Sequence, residues 1–153
     1  MTLTLIPVAT QGLRVFMGVI TDGEPLHQAL AHVAAAHDIG AATVALLGGL
    51  TEVELTAYDF ITQQRLPPRV YRGSLEIVAG HGTISRLEDQ PHVHLHLVLA
   101  CRHAEAGMVL IGGHAARALA FAVEFTLTAY DGVVVSRRPH AGTGLALWAW
   151  PDG

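Results

Sequence analysis

Residues 91–100, PHVHLHLVLA, constrain the fold more than any other part of the chain, because histidine and aliphatic residues alternate along the first half of the segment. In a β-strand, every second side chain points to the same face of the sheet. The segment therefore predicts a strand with one histidine face and one buried face. The histidine face carries His92, His94 and His96, and the opposite face carries Val93, Leu95, Leu97 and Leu99.

Most of the remaining chain also has the pattern of strands separated by turn residues. Further strands are predicted at residues 12–20, 42–47, 51–60, 120–130, 133–135 and 145–150, and residues 74–78 and 82–85 are predicted to form one strand with a bend at residues 80–82. One helix is predicted over residues 24–38, with Asp22 as its N-cap and with Leu26, Leu30 and Val33 at helical spacing. This pattern predicts an α+β fold with a largely antiparallel, twisted sheet and one main helix. A length of 153 residues fits a single domain, 1–153, with its core at about 13–147.

The composition predicts an oligomer. Hydrophobic residues make up 51% of the chain and charged residues only 14%, against about a quarter in an ordinary soluble domain. A surface with so few charges favours an apolar face that another subunit covers, although a monomer with an exposed apolar patch has the same composition.

The charge distribution argues against direct binding of duplex DNA. The net charge is −4, lysine is absent, and the nine arginines are dispersed, with only Arg137 and Arg138 adjacent. Duplex binding ordinarily depends on a cluster of cations that neutralises phosphates.

The location predicted from the sequence is the cytoplasm. Cys101 is the single cysteine, so no intramolecular disulfide can form, and the first residues lack the pattern of a secretory signal. The most apolar region, residues 108–130, is interrupted by His114, Arg117 and Glu124, so no membrane span is predicted.

The shared face of His94 and His96 provides two ligands for a metal ion. Same-face neighbours on a strand start about 6–7 Å apart, and two imidazoles at that spacing can lean onto one ion. His114 follows Gly112 and Gly113, whose freedom allows the backbone to turn and approach another strand, so His114 is the candidate third ligand. Three neutral imidazoles with an open fourth position suit zinc. The alternative is that these histidines are simply hydrogen-bonded.

The sequence gives less support for the other histidines as metal ligands. His92 shares the strand face and is interpreted as a rim residue or an alternative ligand. A structural role is expected for the remaining six, which are His27, His32, His37, His81, His103 and His140.

Two acids inside apolar segments, Glu76 and Glu124, are the candidate catalytic residues. Acids are rarely buried without a partner. Each could hold the second nitrogen of a ligand histidine or act as a general acid or base beside a metal-bound water. The alternative is that both face solvent. Cys101 is predicted to be a buried thiol on the face opposite His94 and His96.

An ordered set of short motifs resembles the PPC (plants and prokaryotes conserved) family. The motifs are Arg14-Val-Phe16, Asp22-Gly-Glu24, Gly48-Gly49-Leu50, Leu75-Glu-Ile-Val78, Gly82-Thr-Ile-Ser85, Val93-His-Leu-His96, Gly112-Gly-His114, Val123-Glu124 and Thr143-Gly-Leu145. The resemblance implies an α+β fold similar to that of acetolactate decarboxylase, a homotrimer, and a metal role for His94, His96 and His114 but not for His92. In plants the domain accompanies AT-hook motifs, and this chain has no Arg-Gly-Arg-Pro hook.

Two functions follow as hypotheses. The first is a trimeric module that binds a divalent metal, with zinc as the expected ion, and has a regulatory or assembly role. It carries a DNA-binding label only through its family. The second is a metal-dependent enzyme of the lyase or hydrolase type that acts on a small molecule. Both leave room for a small-molecule ligand, and the sequence does not decide whether the protein is an enzyme.

Overall fold

The computed structural model describes residues 10–149, which form one helix and nine strands. The helix is α1 (Leu26–Ala36). The strands are β1 (Leu13–Thr21), β2 (Ala42–Thr56), β3 (Tyr58–Asp59), β4 (Gln64–Arg65), β5 (Arg69–Leu87), β6 (Gln90–His103), β7 (Gly107–Tyr130), β8 (Ser136–Pro139) and β9 (Ala146–Ala149). No helix in this range is long and apolar enough to cross a membrane.

The four longest strands close into a ring. β2 pairs with β5, β5 with β6, β6 with β7, and β7 returns to β2, all antiparallel. β1 adds to β7, while β8 makes a short parallel pairing with β5 and an antiparallel pairing with β9. The predicted α+β class with a largely antiparallel sheet is therefore confirmed, and the sheet is closed and barrel-like.

The helix packs its apolar stripe against the sheet but is shorter than predicted. Leu26, Leu30 and Ala34 are fully buried on α1. Asp22 is not the N-cap: with Gly23 it forms a left-handed turn that delivers the Gly23 N–H to the Ala120 carbonyl at 2.9 Å. This contact ties the turn to β7, so the helix begins only after Pro25.

The two strands predicted on either side of Gly48-Gly49 are continuous in the structure, because residues 42–47 and most of 51–60 form the single strand β2. Residues 74–78 and 82–85 lie in the single strand β5, as predicted. The pairing shifts register between Leu46 and Gly48 and between Ile77 and Ala79. Irregularities of this kind bend a long strand around a closed sheet rather than ending it.

The predicted strand at residues 133–135 is wrong. The Asp131-Gly132 turn is present, but no hairpin follows, because Tyr130 already pairs with Leu13 of β1 and the adjacent Ala129 pairs with β2. With both sides of β7 occupied, the chain crosses toward β5, where the Arg86 N–H donates to the Val135 carbonyl. The last predicted strand corresponds to β9, and Trp150 lies outside the described residues.

One outer face of the sheet is apolar and exposed. We define the apolar outer face by Val15, Met17 and Val19 of β1, Leu47 of β2 and Phe121 of β7, which are 58–81% exposed. Their neighbours along β1, such as Ile20, point into the core. Alternation thus places a second hydrophobic surface back to back with the buried one.

Candidate metal centre

The structure brings His94, His96 and His114 together on adjoining strands. His94 and His96 alternate with buried Val93 and Leu95 on β6, as the sequence predicts. His114 lies on β7 directly opposite His96 in the antiparallel register. The alternation of side chains along β6 therefore places His94 and His96 on one face, and the pairing of β6 with β7 places His114 beside them.

The ring nitrogens of the three histidines converge. One ligand atom from each residue lies within 4.8 Å of the others, and the Nε2 atoms of His94 and His96 are 3.2 Å apart. Two ligands bound at about 2.0–2.1 Å in a tetrahedral site lie about 3.3–3.4 Å apart. The spacing of the His94–His96 pair and the imidazole chemistry of all three residues therefore fit a zinc-like ion.

Gly112 and Gly113 position His114 by close approach and not by a turn, because both lie inside β7. A Cβ on Gly112 would lie 2.8 Å from the Leu97 carbonyl oxygen of β6, and one on Gly113 would lie 2.8 Å from the Thr56 carbonyl oxygen of β2. Any side chain there would push β7 away from its neighbours. The glycine pair thus keeps His114 close to the β6 histidines.

The site favours neutral histidines. Burial and the nearby Arg137 guanidinium lower the pKa of His94 to about 4. Burial and the Arg65 guanidinium lower the pKa of His114 to about 4 as well, and burial with His81 and Arg65 lowers the pKa of His96. A neutral imidazole is the form that binds a metal ion, so the donors are ready at neutral pH.

These pKa values predict an acid-dependent stability. In the unfolded chain the imidazoles protonate near pH 6.5, but in the folded, metal-free protein His94 and His114 protonate only near pH 4. The unfolded state binds more protons between these values, so folded stability is full above about pH 7 and falls toward pH 4. We expect a loss on the order of 2 kcal/mol, after allowance for solvent around the half-buried rings.

Thermal unfolding of the metal-free protein at fixed concentration from pH 7 to pH 4 measures this loss. The double variant H94Q/H114Q removes both imidazoles and is expected to show a shallower dependence on pH. Equal slopes for the variant and the unmodified protein would contradict the assignment.

Two clefts border the histidine cluster. The tryptophan-side cleft has a volume of about 550 Å³, and its lining includes His81, Thr83, Leu147 and Trp148. The tyrosine-side cleft has a volume of about 520 Å³, and its lining includes Tyr58, Phe60, Arg65 and His92. His94, His96 and Arg137 line both clefts, so the cluster is accessible from either side.

Arg137 of β8 is the residue of this site that the sequence did not reveal. Its side chain is 8% exposed, and its Nε donates to Ser85 Oγ at 2.7 Å. The Nη2 atom of Arg137 lies 3.2 Å from Thr83 Oγ1 and 3.5 Å from His94 Nδ1. Nothing local in the sequence marks Arg137, because the pairing of β8 with β5 alone brings it beside the histidine strand.

Glu76 and Glu124 lie elsewhere. Both are exposed, and each lines a different cleft from those of the histidines: Glu124 adjoins Met17 and Leu47, and Glu76 adjoins Phe121. The structure thus does not bring either carboxylate to the histidine cluster. Strand register explains this placement, since Glu76 pairs with Ala100, four residues along β6 from His96.

The remaining predicted residues divide between the site and the scaffold. His92 lines the tyrosine-side cleft but lies outside the converging set of ligand atoms. Cys101 is partly buried against the core. His81 lies beside the cluster, with its ring centroid 6.5 Å from that of His96.

Fold and site together define a small domain with a closed antiparallel sheet and a three-histidine cluster open to two clefts. The family model of the Plants and Prokaryotes Conserved (PCC) domain, abbreviated PPC above, matches residues 8–131. The chain belongs to this family.

Solved structures share the fold over nearly the whole chain. A metal-containing protein from Archaeoglobus fulgidus superposes with a TM-score of 0.84 at 22% identity, covering 97% of this chain and 100% of that one. A plant- and prokaryote-conserved protein from Pyrococcus horikoshii gives a TM-score of 0.79 at 24% identity, covering 95% and 99%. A candidate DNA-binding protein from Ralstonia eutropha JMP134 gives 0.75 at 20%, covering 88% and 90%. No curated protein sequence matches the chain significantly.

Proposed function

We propose that the protein binds one divalent transition-metal ion per subunit, zinc, through His94, His96 and His114. The observation that carries the proposal is the convergence of three ring nitrogens, two of them 3.2 Å apart. Their lowered pKa values keep the rings neutral, and a relative of the same fold from Archaeoglobus fulgidus is described as metal-containing.

Three imidazoles from the protein leave part of the coordination sphere of such an ion available. Neutral ligands also leave the ion its full positive charge, which would polarise a carbonyl group or acidify water. The residues of this chain would hold the ion against β6 and β7 and leave its other side open to the two clefts.

We also propose a homotrimer that acts in the cytoplasm. The apolar outer face supports an assembly, since Met17 and Phe121 are 81% and 69% exposed in the single chain. Cyclic symmetry would cover this face on every subunit at once. The number three comes from the family resemblance, because burial of an apolar face alone does not distinguish two subunits from three.

The biological role that best fits is regulation or assembly through a bound metal and a small ligand. The open clefts also favour a second candidate, a metal-dependent enzyme acting on a small molecule, which the family resemblance suggests through its likeness to acetolactate decarboxylase. No Asp or Glu is among the described residues that line the two clefts, which argues against a carboxylate acting there as general acid or base. Ligand binding therefore has the stronger support.

Elemental analysis of the purified, untagged protein tests the metal proposal. We expect about one zinc per chain after dialysis against metal-free buffer. A zinc content near zero that added zinc does not restore would contradict the proposal.

Direct binding to duplex DNA is expected to be absent at physiological salt. The net charge is −4, and Glu52 pairs with two of the arginines, Arg72 and Arg117, which leaves fewer cations for phosphates. Fluorescence anisotropy with a labelled duplex measures this. Affinity tighter than about 1 μM with a steep dependence on salt would contradict the expectation.

A further inference from the structure

Arg137 is a buried cation without an acidic partner in residues 10–149. Its side chain is 8% exposed, yet the ion pairs of this part of the chain involve Arg14, Arg72, Arg86 and Arg117 instead. A buried charge is costly unless it is paired and hydrogen-bonded. The position therefore favours an anion that is not among the described residues.

The contacts of Arg137 orient its guanidinium without neutralising it. Nε donates to Ser85 Oγ, one Nη1 N–H donates to the Ala146 carbonyl at 2.9 Å, and Nη2 lies near Thr83 Oγ1. All three acceptors are uncharged. Since a guanidinium has five N–H donors, capacity for an anionic ligand remains.

The contact between Arg137 and His94 also favours a bound anion. When Nε2 of His94 faces a metal ion, Nδ1 carries the proton, and a metal-bound histidine usually donates that proton to an acceptor. Here Nδ1 lies 3.5 Å from Nη2 of Arg137, so one donor faces another. An oxygen of a bound anion can accept from both donors and relieve this arrangement.

The surroundings indicate an organic anion. Arg65 adds a second cation near His96 and His114, while the described lining of both clefts contains no acid. Leu147 and Trp148 form an apolar wall beside Arg137, whose guanidinium carbon is 5.8 Å from the Trp148 ring. An apolar wall beside a guanidinium suits a carboxylate with a hydrocarbon body.

We propose that Arg137 binds the carboxylate of a small organic anion in the tryptophan-side cleft, next to the histidine cluster. This inference builds on the proposed metal centre and specifies the class of ligand that the centre takes. Arg137, Leu147 and Trp148 lie beyond residues 8–131, the part that matches the family model, so the family match does not itself assign this anion site.

The test uses the full chain loaded with zinc, and benzoate is the probe. Calorimetric titration measures the affinity for benzoate and the number of bound benzoates. We expect one benzoate per chain, with an affinity at least about tenfold lower in R137Q, because a charged hydrogen-bond donor is lost. R102Q is the matched control: Arg102 is exposed and lines neither cleft, so its affinity is expected to be unchanged. Equal affinities for R137Q and the unmodified protein would overturn the proposal, as would an absence of benzoate binding.

Zinc content measured on the same samples separates this proposal from the metal proposal. R137Q is expected to keep about one zinc per chain, since it retains all three histidines. If the unmodified protein takes up no zinc even when zinc is added, the metal proposal fails, and benzoate titration of the metal-free protein still decides the role of Arg137.

Two further measurements address a possible folding defect of R137Q and the chemical class of the anion. If R137Q fails to fold, the unmodified protein provides the readout through the ¹⁵Nε resonance of Arg137, which is identified by its absence from the spectrum of R137K. This resonance is expected to shift when benzoate is added. The absence of a shift would overturn the proposal. Inorganic phosphate is the comparison anion in the metal-free protein. Phosphate binding tighter than benzoate binding would overturn the organic carboxylate as the ligand.

Discussion

Replacement of both β6 histidines, H94A/H96A, is expected to reduce bound zinc from about one ion per chain to below about 0.1. The Nε2 atoms of these residues are 3.2 Å apart, and their loss leaves His114 as the only member of the cluster. Loss of a residue that merely supports a ligand costs about 10–100-fold in affinity, and loss of two ligands costs more. Elemental analysis after dialysis measures the change.

Thermal unfolding provides a second readout of the same variant. A ligand present at about 100 times its Kd stabilises the folded state by about 2.7 kcal/mol. Zinc is therefore expected to raise the Tm of the unmodified protein by several degrees and to leave that of H94A/H96A unchanged.

Two single variants serve as controls for the metal site. His32 is exposed on α1, so H32A is expected to keep full zinc content. H92A tests the alternative ligand on the same strand face and is expected to keep zinc as well. Full metal content in H94A/H96A, or loss of metal in H92A, would contradict the ligand assignment.

Introduction of charge into the apolar outer face, M17E/L47E, is expected to convert a trimer of three 16.2 kDa chains into monomers. Met17 and Leu47 adjoin Glu124 in one cleft, so the new carboxylates add both a desolvation cost and repulsion between like charges. Both side chains are exposed in the single chain, and the fold itself should therefore tolerate the change. Size exclusion with light scattering measures the mass.

Ile61 provides the matched control for assembly. It is 94% exposed between β3 and β4, away from the apolar outer face, so I61E is expected to stay trimeric. Obligate interfaces bury more than about 2,000 Å², which predicts that the unmodified trimer survives dilution to nanomolar concentrations. A monomeric unmodified protein would contradict the assembly, and a dimer would contradict the choice of three.

The histidine strand shows which features of the site could be predicted from the sequence. Alternation assigned His94 and His96 to one face and Leu95 and Leu97 to the core, because a strand has a period of two wherever it occurs. His114 could be predicted from the preceding glycines, and the expected close approach to another strand is confirmed, although the expected turn is absent. Gly112 and Gly113 serve close strand packing within β7, not a turn.

The positions of Glu76 and Glu124 relative to the histidine cluster could not be predicted from the sequence. Both follow the strand pattern correctly, but the pattern does not specify which neighbouring strand lies beside a residue, or in which register. Register pairs Glu76 with Ala100 and Glu124 with Val19 and Leu47, which places the two acids away from the histidines.

The sequence by itself determined the α+β class, the face of each residue on the histidine strand, and the excess of apolar surface, because these depend on local periodicity and composition. Only the tertiary structure decided that β2, β5, β6 and β7 close into a ring, and that β8 brings Arg137 to His94. Pairing between distant strands depends on which edges remain free after the others have formed. That information is shared by the whole sheet and is not present in any single segment.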